Sequence, residues 1–181
     1  MTELAFPGYR AFDAPLDDPL RVKWNAMRAN LDVSSILPPQ PTLEGVSAFN
    51  LHINRILTFN PLETEDLSAW QSPKQTMMQA QGDCKDYALL KYAALLKSGV
   101  PARVVIGEIK SVMKTNPRHA WCAAYIEGAW CALDNMFDQI IRVDEYSNWL
   151  PLAALGESSV VRFVAGQEFT INNVLNERKL S

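Results

Sequence analysis

Three residues of this chain have the types and the order needed for nucleophilic chemistry: Cys84, His119 and Asp134. Cys84 lies in Gln81-Gly82-Asp83-Cys84-Lys85-Asp86-Tyr87-Ala88-Leu89-Leu90-Lys91, where a helical apolar pattern begins. Asp83 is suited to cap that helix, because its carboxylate can accept a free amide of the first turn. Asp86, three residues on, can reach back in the manner of a capping box. Leu89, Leu90, Ala93, Ala94 and Leu96 supply a buried face, Gly99 ends the helix, and Pro101 stops its continuation. Cys84 is therefore expected in the first turn, where free amides and the positive end of the helix dipole favour an anionic sulfur. That is one route to a sulfur nucleophile near neutral pH. The competing reading of this stretch alone is a small core cysteine.

His119 and Asp134 are joined by a hairpin. The β-prone runs 119–126 and 129–134 flank Glu127-Gly128, a two-residue turn ending in glycine. With that turn, Ile126 faces Ala129 and Trp121 faces Asp134. His119, two residues along, is on the Asp134 face as its diagonal neighbour. An aspartate in that place fixes the tautomer of an imidazole and supports its charged form. The resulting set is Cys84 as nucleophile, His119 as general base and then acid, and Asp134 as the orienting group. The oxyanion of such a reaction needs at least one backbone amide, most simply that of Cys84.

The same parity places Cys122 and Cys131 on the opposite face, as reduced core residues. Trp121 is expected on the His119 face and Trp130 on the other. His52 reads as a half-buried surface histidine, Trp70 as a packing residue close to the site, and the lysines as solvated.

The elements around these residues follow from pattern. Residues 1–16 read as an irregular lead-in. Asp18-Pro19 starts a helix with Leu20, Trp24, Met27 and Leu31 on one face. Residues 37–41 are a proline-rich linker. A second helix is expected from about Leu43 to Leu57, with Val46, Phe49, Ile53 and Ile56 inward. Residues 60–80 are polar and broken by Pro61 and Pro73, and Ser111 to Arg118 is a loop. Strands are expected at Ala102–Ile109, in the hairpin, at Gln139–Val143 and at Val160–Val164. Helices first, then antiparallel strands, is an α+β layout with the cysteine helix packed on the sheet.

Composition narrows the function. At 181 residues the chain is expected to form a single domain, 1–181, with a proper core. The net charge of −3, with no dense run of Lys or Arg, argues against a nucleic-acid partner. No apolar run has the length of a membrane span. Three cysteines do not make a disulfide framework. With only two histidines and no CxxC, neither a zinc site nor another cofactor is expected. The first twenty residues carry no signal-peptide pattern. The chain as written is thus expected in the cytoplasm, or in the periplasm if an export signal has been removed.

Gly82-Asp83-Cys84-Lys85-Asp86-Tyr87-Ala88 with Lys91-Tyr92, then Gly99-Val100-Pro101, His119-Ala120 and Leu133-Asp134-Asn135, resembles the bacterial transglutaminase-like cysteine proteinases. Trp70 with Pro73 is similar to that family's Trp-containing segment. The resemblance spans roughly residues 65–140. It implies a papain-like, transglutaminase-type fold and a Cys-His-Asp order. It also implies a cysteine endopeptidase that hydrolyses a protein or peptide substrate through a thioester. The best-known members are periplasmic proteases that cut surface adhesins and release biofilm cells. They are regulated by calcium, bound by acidic residues beside the cysteine. Asp83 and Asp86 match that cluster, but Lys85 stands where an acidic residue is usual, and a cation there repels calcium. Acyl transfer to an amine, hydrolysis of a small amide, and an inactive peptide-binding relative are the alternatives.

Overall fold

The computed structural model describes residues 3–29, 31–32, 34, 36–61, 70–111, 117–145 and 147–166. Most of the loop expected between Ser111 and Arg118 lies outside these residues, as does much of the polar stretch 60–80. The order of elements is β1 (Tyr9–Asp13), α1 (Pro19–Arg28), α2 (Leu43–Ile56), β2 (Thr58–Phe59), α3 (Pro73–Gln79), β3 (Gln81–Gly82) and α4 (Cys84–Lys97). It continues through β4 (Ala102–Ile109), β5 (Arg118–Ile126), β6 (Ala129–Leu133), β7 (Ile141–Arg142), β8 (Trp149–Leu155) and β9 (Val160–Ala165).

The α+β layout expected from the sequence is the observed one. Seven strands form an antiparallel sheet in the order β1-β9-β8-β4-β5-β6-β7. The helix α4 lies against its centre. Every residue from Asp86 to Leu95 is buried, because the sheet takes one side of α4 and the other helices take the rest. Asp18 caps α1 through the amides of Leu20 and Arg21, with Pro19 in the first turn. Thr42 caps α2 through Gly45. Gly99, at φ +75°, ends α4 where a side chain would be strained.

Expectations about three elements need correction. The lead-in is not irregular throughout. Tyr9–Asp13 form an edge strand on β9, and Leu4 and Phe6 pack on the outer face of the sheet, Phe6 edge-on to Trp121 and Phe163. The stretch before Cys84 contains α3, whose Ser72 cap and Gln75 form a capping box, with Pro73 in its first turn. Strand β8 carries no clear β pattern in the sequence, because Pro151 and the pair Ala153-Ala154 mute it.

The hairpin follows the expected register. Ile126 pairs with Ala129 and Cys122 with Leu133. Glu127 (φ +49°) and Gly128 (φ +86°) both have the left-handed backbone that a tight hairpin turn requires. Cys122 faces α4, away from the outer-face cluster of Trp121, Ala123 and Ala132. Trp130, expected opposite Trp121, packs with that outer cluster instead, because its partner Tyr125 has the parity of Trp121.

Gly107 shapes the sheet beneath the site. It pairs with His119 across β4 and β5 and sits at a bulge in the β4–β8 pairing. A Cβ on Gly107 would stand 2.4 Å from the carbonyl oxygen of Leu150 and 3.0 Å from the Trp121 ring. Gly107→Ala is therefore expected to cost about 1–3 kcal/mol of stability, read as a lower Tm. An unchanged Tm would mean that the bulge yields to the added methyl.

Candidate active site

The cysteine is set by the start of α4. The Asp83 carboxylate accepts the Lys85 amide at 2.9 Å, and Asp86 reaches back to the Asp83 amide at 3.0 Å. The amides of Asp86 and Tyr87 turn onto the Asp83 carbonyl. The Cys84 amide, in the same turn, is the one this cap does not use. Asp86 is fully buried, and its other oxygen accepts the Gln71 amide at 2.8 Å. Burial holds the Asp86 carboxyl above its ordinary range, against these two bonds. Gly82 lets Asp86 come so close, since a Cβ there would lie 2.7 Å from the Asp86 Cβ. Trp70 is buried in the helix-side core, next to the Gln71 that Asp86 binds.

The hairpin delivers the other two residues. His119, in the first residues of β5, donates from Nε2 to both carboxylate oxygens of Asp134, at 2.8 and 2.9 Å. Asp134 follows directly on β6 and is 1% exposed. It also accepts the Met136 amide at 3.0 Å and the Trp149 indole N–H at 3.1 Å. With Nε2 committed to Asp134, Nδ1 is the ring nitrogen left for the Cys84 thiol, and Cys84 lies close enough to His119 to favour its charged form. The structure thus brings Cys84, His119 and Asp134 together, with His119 and Asp134 hydrogen-bonded.

A stack of rings fixes the imidazole. His119 lies on Trp121 with centroids 5.9 Å apart and planes 20° apart, and Trp121 lies on Trp149 at 5.4 Å and 16°. Trp149 is the residue of this site that sequence reasoning missed. It lies in strand β8, and no local pattern links it to Asp134. His52, by contrast, is exposed.

Two lysines are not the solvated residues expected. Lys85 pairs with Asp83, and both side chains are mostly buried. Lys91 is fully buried on α4. The Asp83–Lys85 pair bears on calcium. One Asp83 oxygen holds the Lys85 amide and the other the Lys85 ammonium. Both Asp86 oxygens hold backbone amides. All four oxygens face N–H donors, whereas calcium requires six to eight oxygen ligands. Asp83 and Asp86 as arranged do not fit the ion. Among the described residues, no group of three or more His, Cys, Asp or Glu is placed to hold a metal.

Residues 32–135, more than half of the chain, match the transglutaminase-like superfamily. The chain belongs to that superfamily. No curated protein matches it in sequence. Among solved structures, the chain is similar to calcium-bound LapG of Legionella pneumophila. The two are 19% identical, with a TM-score of 0.56 over 88% of this chain and 90% of that one. The EGTA-treated form of LapG gives the same TM-score at 17% identity, over 90% of each chain. Arylamine N-acetyltransferase of Salmonella typhimurium is similar at a TM-score of 0.50 and 17% identity, over 86% of this chain and 68% of that one. At these identities the likeness is one of fold. The family and fold expected from the Cys84, His119 and Asp134 motifs are those found.

The charge on His119 has a consequence for stability. Burial by itself disfavours the imidazolium, but the hydrogen bonds to Asp134 and the nearness of Cys84 outweigh it and raise the group from 6.5 to about 9. A pKa raised on folding adds stability that is whole below the unfolded value and is lost as pH rises through the folded one. The amount is on the order of 3 kcal/mol. Burial lowers Lys91 to about 7, which acts in the opposite sense over an overlapping range, so total stability is not the quantity to follow. The Tm advantage of the wild type over His119→Gln is expected to be full at about pH 6 and to shrink by about pH 9.5. A constant difference across that range would show that His119 is not held protonated.

Proposed function

We propose that this chain is a cysteine endopeptidase that hydrolyses a peptide bond of a protein substrate through a thioester on Cys84. The observation that supports this most directly is the hydrogen-bonded His119–Asp134 pair set beside Cys84, the first residue of a buried helix. The Cys84 sulfur attacks the peptide carbonyl carbon, and its proton resides on His119. The Cys84 amide is the donor for the oxygen that gains charge. As the C–N bond breaks, His119 gives its proton to the leaving amine. A water then attacks the thioester, His119 takes the water's proton, and the acid is released with the sulfur restored. Asp134 accepts from Nε2 throughout, which keeps Nδ1 toward the sulfur.

Cys84, His119 and Asp134 are the catalytic residues of this proposal. Its family supports a protein substrate. The fold is also shared with an N-acetyltransferase, so acyl transfer to an amine is the second outcome of the test. A limiting thiol-directed alkylator at about neutral pH is expected to modify Cys84 and spare buried Cys122 and Cys131. His119→Ala should slow that labelling about a hundredfold or more. Incubated with an unfolded protein, the wild type should release fragments and Cys84→Ser should not. Incorporation of a labelled amine without fragments would replace hydrolysis by acyl transfer. Neither product, with all three cysteines equally unreactive, would sink both.

The site as proposed works without calcium, because Lys85 supplies a tethered cation to Asp83. Cleavage is therefore expected to be unchanged by EGTA. A loss on chelation that added calcium restores would overturn this part of the reading.

A further inference from the structure

Lys91 is a lysine with no exposed surface, seven residues along α4 from Cys84. Its ammonium donates to Oδ1 of Asn50 at 2.7 Å, to Oδ1 of Asn54 at 2.6 Å and to the Leu133 carbonyl at 3.4 Å. An ammonium only donates, so it holds both asparagine amides with oxygen inward and NH2 outward. The two NH2 groups then hold the chain that follows β6. Asn54 donates to the carbonyls of Asp134 and Phe137, each at 2.9 Å. Asn50 donates to those of Phe137 and Asp138, each at 3.0 Å. The backbone that presents the Asp134 carboxylate is thus fastened to α2 and α4 by one buried charge.

We propose that Lys91, acting through Asn50 and Asn54, is the positioning residue that fixes Asp134 against His119. The proposal rests on the Cys84–His119–Asp134 reading and adds a layer beneath it. The charged or titratable groups facing Lys91 are Asp134 and Asp138, Cys122 from β5, and the Tyr87 ring of its own helix at 5.8 Å. Burying an ammonium is costly, and burial lowers this one to about 7. A leucine or methionine would pack α4 without that cost, but neither could orient two amides at once.

The test reads His119 without any substrate. The chain has two histidines, and exposed His52 serves as the internal reference in an NMR titration of the imidazole Cε1 signals. Two variants are compared with the wild type, Asn54→Ala and Lys91→Met. Asn54 is only half-buried, so its variant keeps the core intact and decides the matter alone if Lys91→Met does not fold. If the network positions Asp134, the His119 pKa falls from about 9 by at least about one pH unit in the folded variants, and Cys84 alkylation slows with it. Loss of the Lys91 charge alone, with Asp134 still in place, would raise that pKa instead. An unchanged or raised titration in the folded variants, whatever their Tm, overturns the proposal. A wild type that titrates as expected but cleaves nothing would count against the endopeptidase and leave this inference standing.

Discussion

The site depends first on a buried carboxylate that never touches the reacting atoms. Asp86 binds the Asp83 amide with one oxygen and the Gln71 amide with the other. The first bond fixes where α4 begins and hence where Cys84 stands. The second ties the segment containing Trp70 to that same point. Gly82 is required because Asp86 fills the space where its Cβ would be. A carboxylate buried so completely is tolerable only because each oxygen meets a fixed N–H. The chain therefore starts α4 at one residue and at no other.

Around that fixed point the sheet and the start of α4 hold the imidazole from three directions. Trp121 lies beneath the His119 ring, Asp134 takes Nε2, and Cys84 meets the other edge. Trp149 serves twice, as the next ring in the stack and as a donor to Asp134. Strands β4, β5 and β8 must therefore stay in register for the histidine to keep its orientation. The bulge at Gly107 is where that register shifts to let Trp121 lie flat. Rigidity here comes from ring packing and from the hydrogen bonds that converge on Asp134, which is what a preorganised site requires.

The polar layer between α2, α4 and the end of β6 has another character. It places a cation, two amides and several carbonyls in a region that apolar residues could fill. Such a layer restricts the chain after β6 to one conformation, at some expense of stability. The Asp83–Lys85 pair follows the same logic at the other end of the site, where an attached ammonium meets a carboxylate near the cysteine. Both lysines bring a covalently held charge to buried oxygens.

The sequence by itself determined much of this. Asp83 and Asp86 at capping positions, Gly99 with Pro101, and the helical spacing from Leu89 located α4 and the place of Cys84. The turn Glu127-Gly128 set the hairpin register, and that register put His119 beside Asp134, because strand parity is a local property of the chain. The burial of Lys91 was not legible, since a lysine among leucines and tyrosines reads the same on a surface as in a core. Trp149 was not legible as a partner of Asp134, because that contact joins β6 and β8, which are not adjacent in the sheet. The strand Tyr9–Asp13 gained its identity only from β9 at the far end of the chain. Caps, turns and periodicity act over a few residues and are written in them. Whether a lysine is buried and which indole meets which carboxylate depend on elements brought together from a distance, and only the tertiary structure decided those.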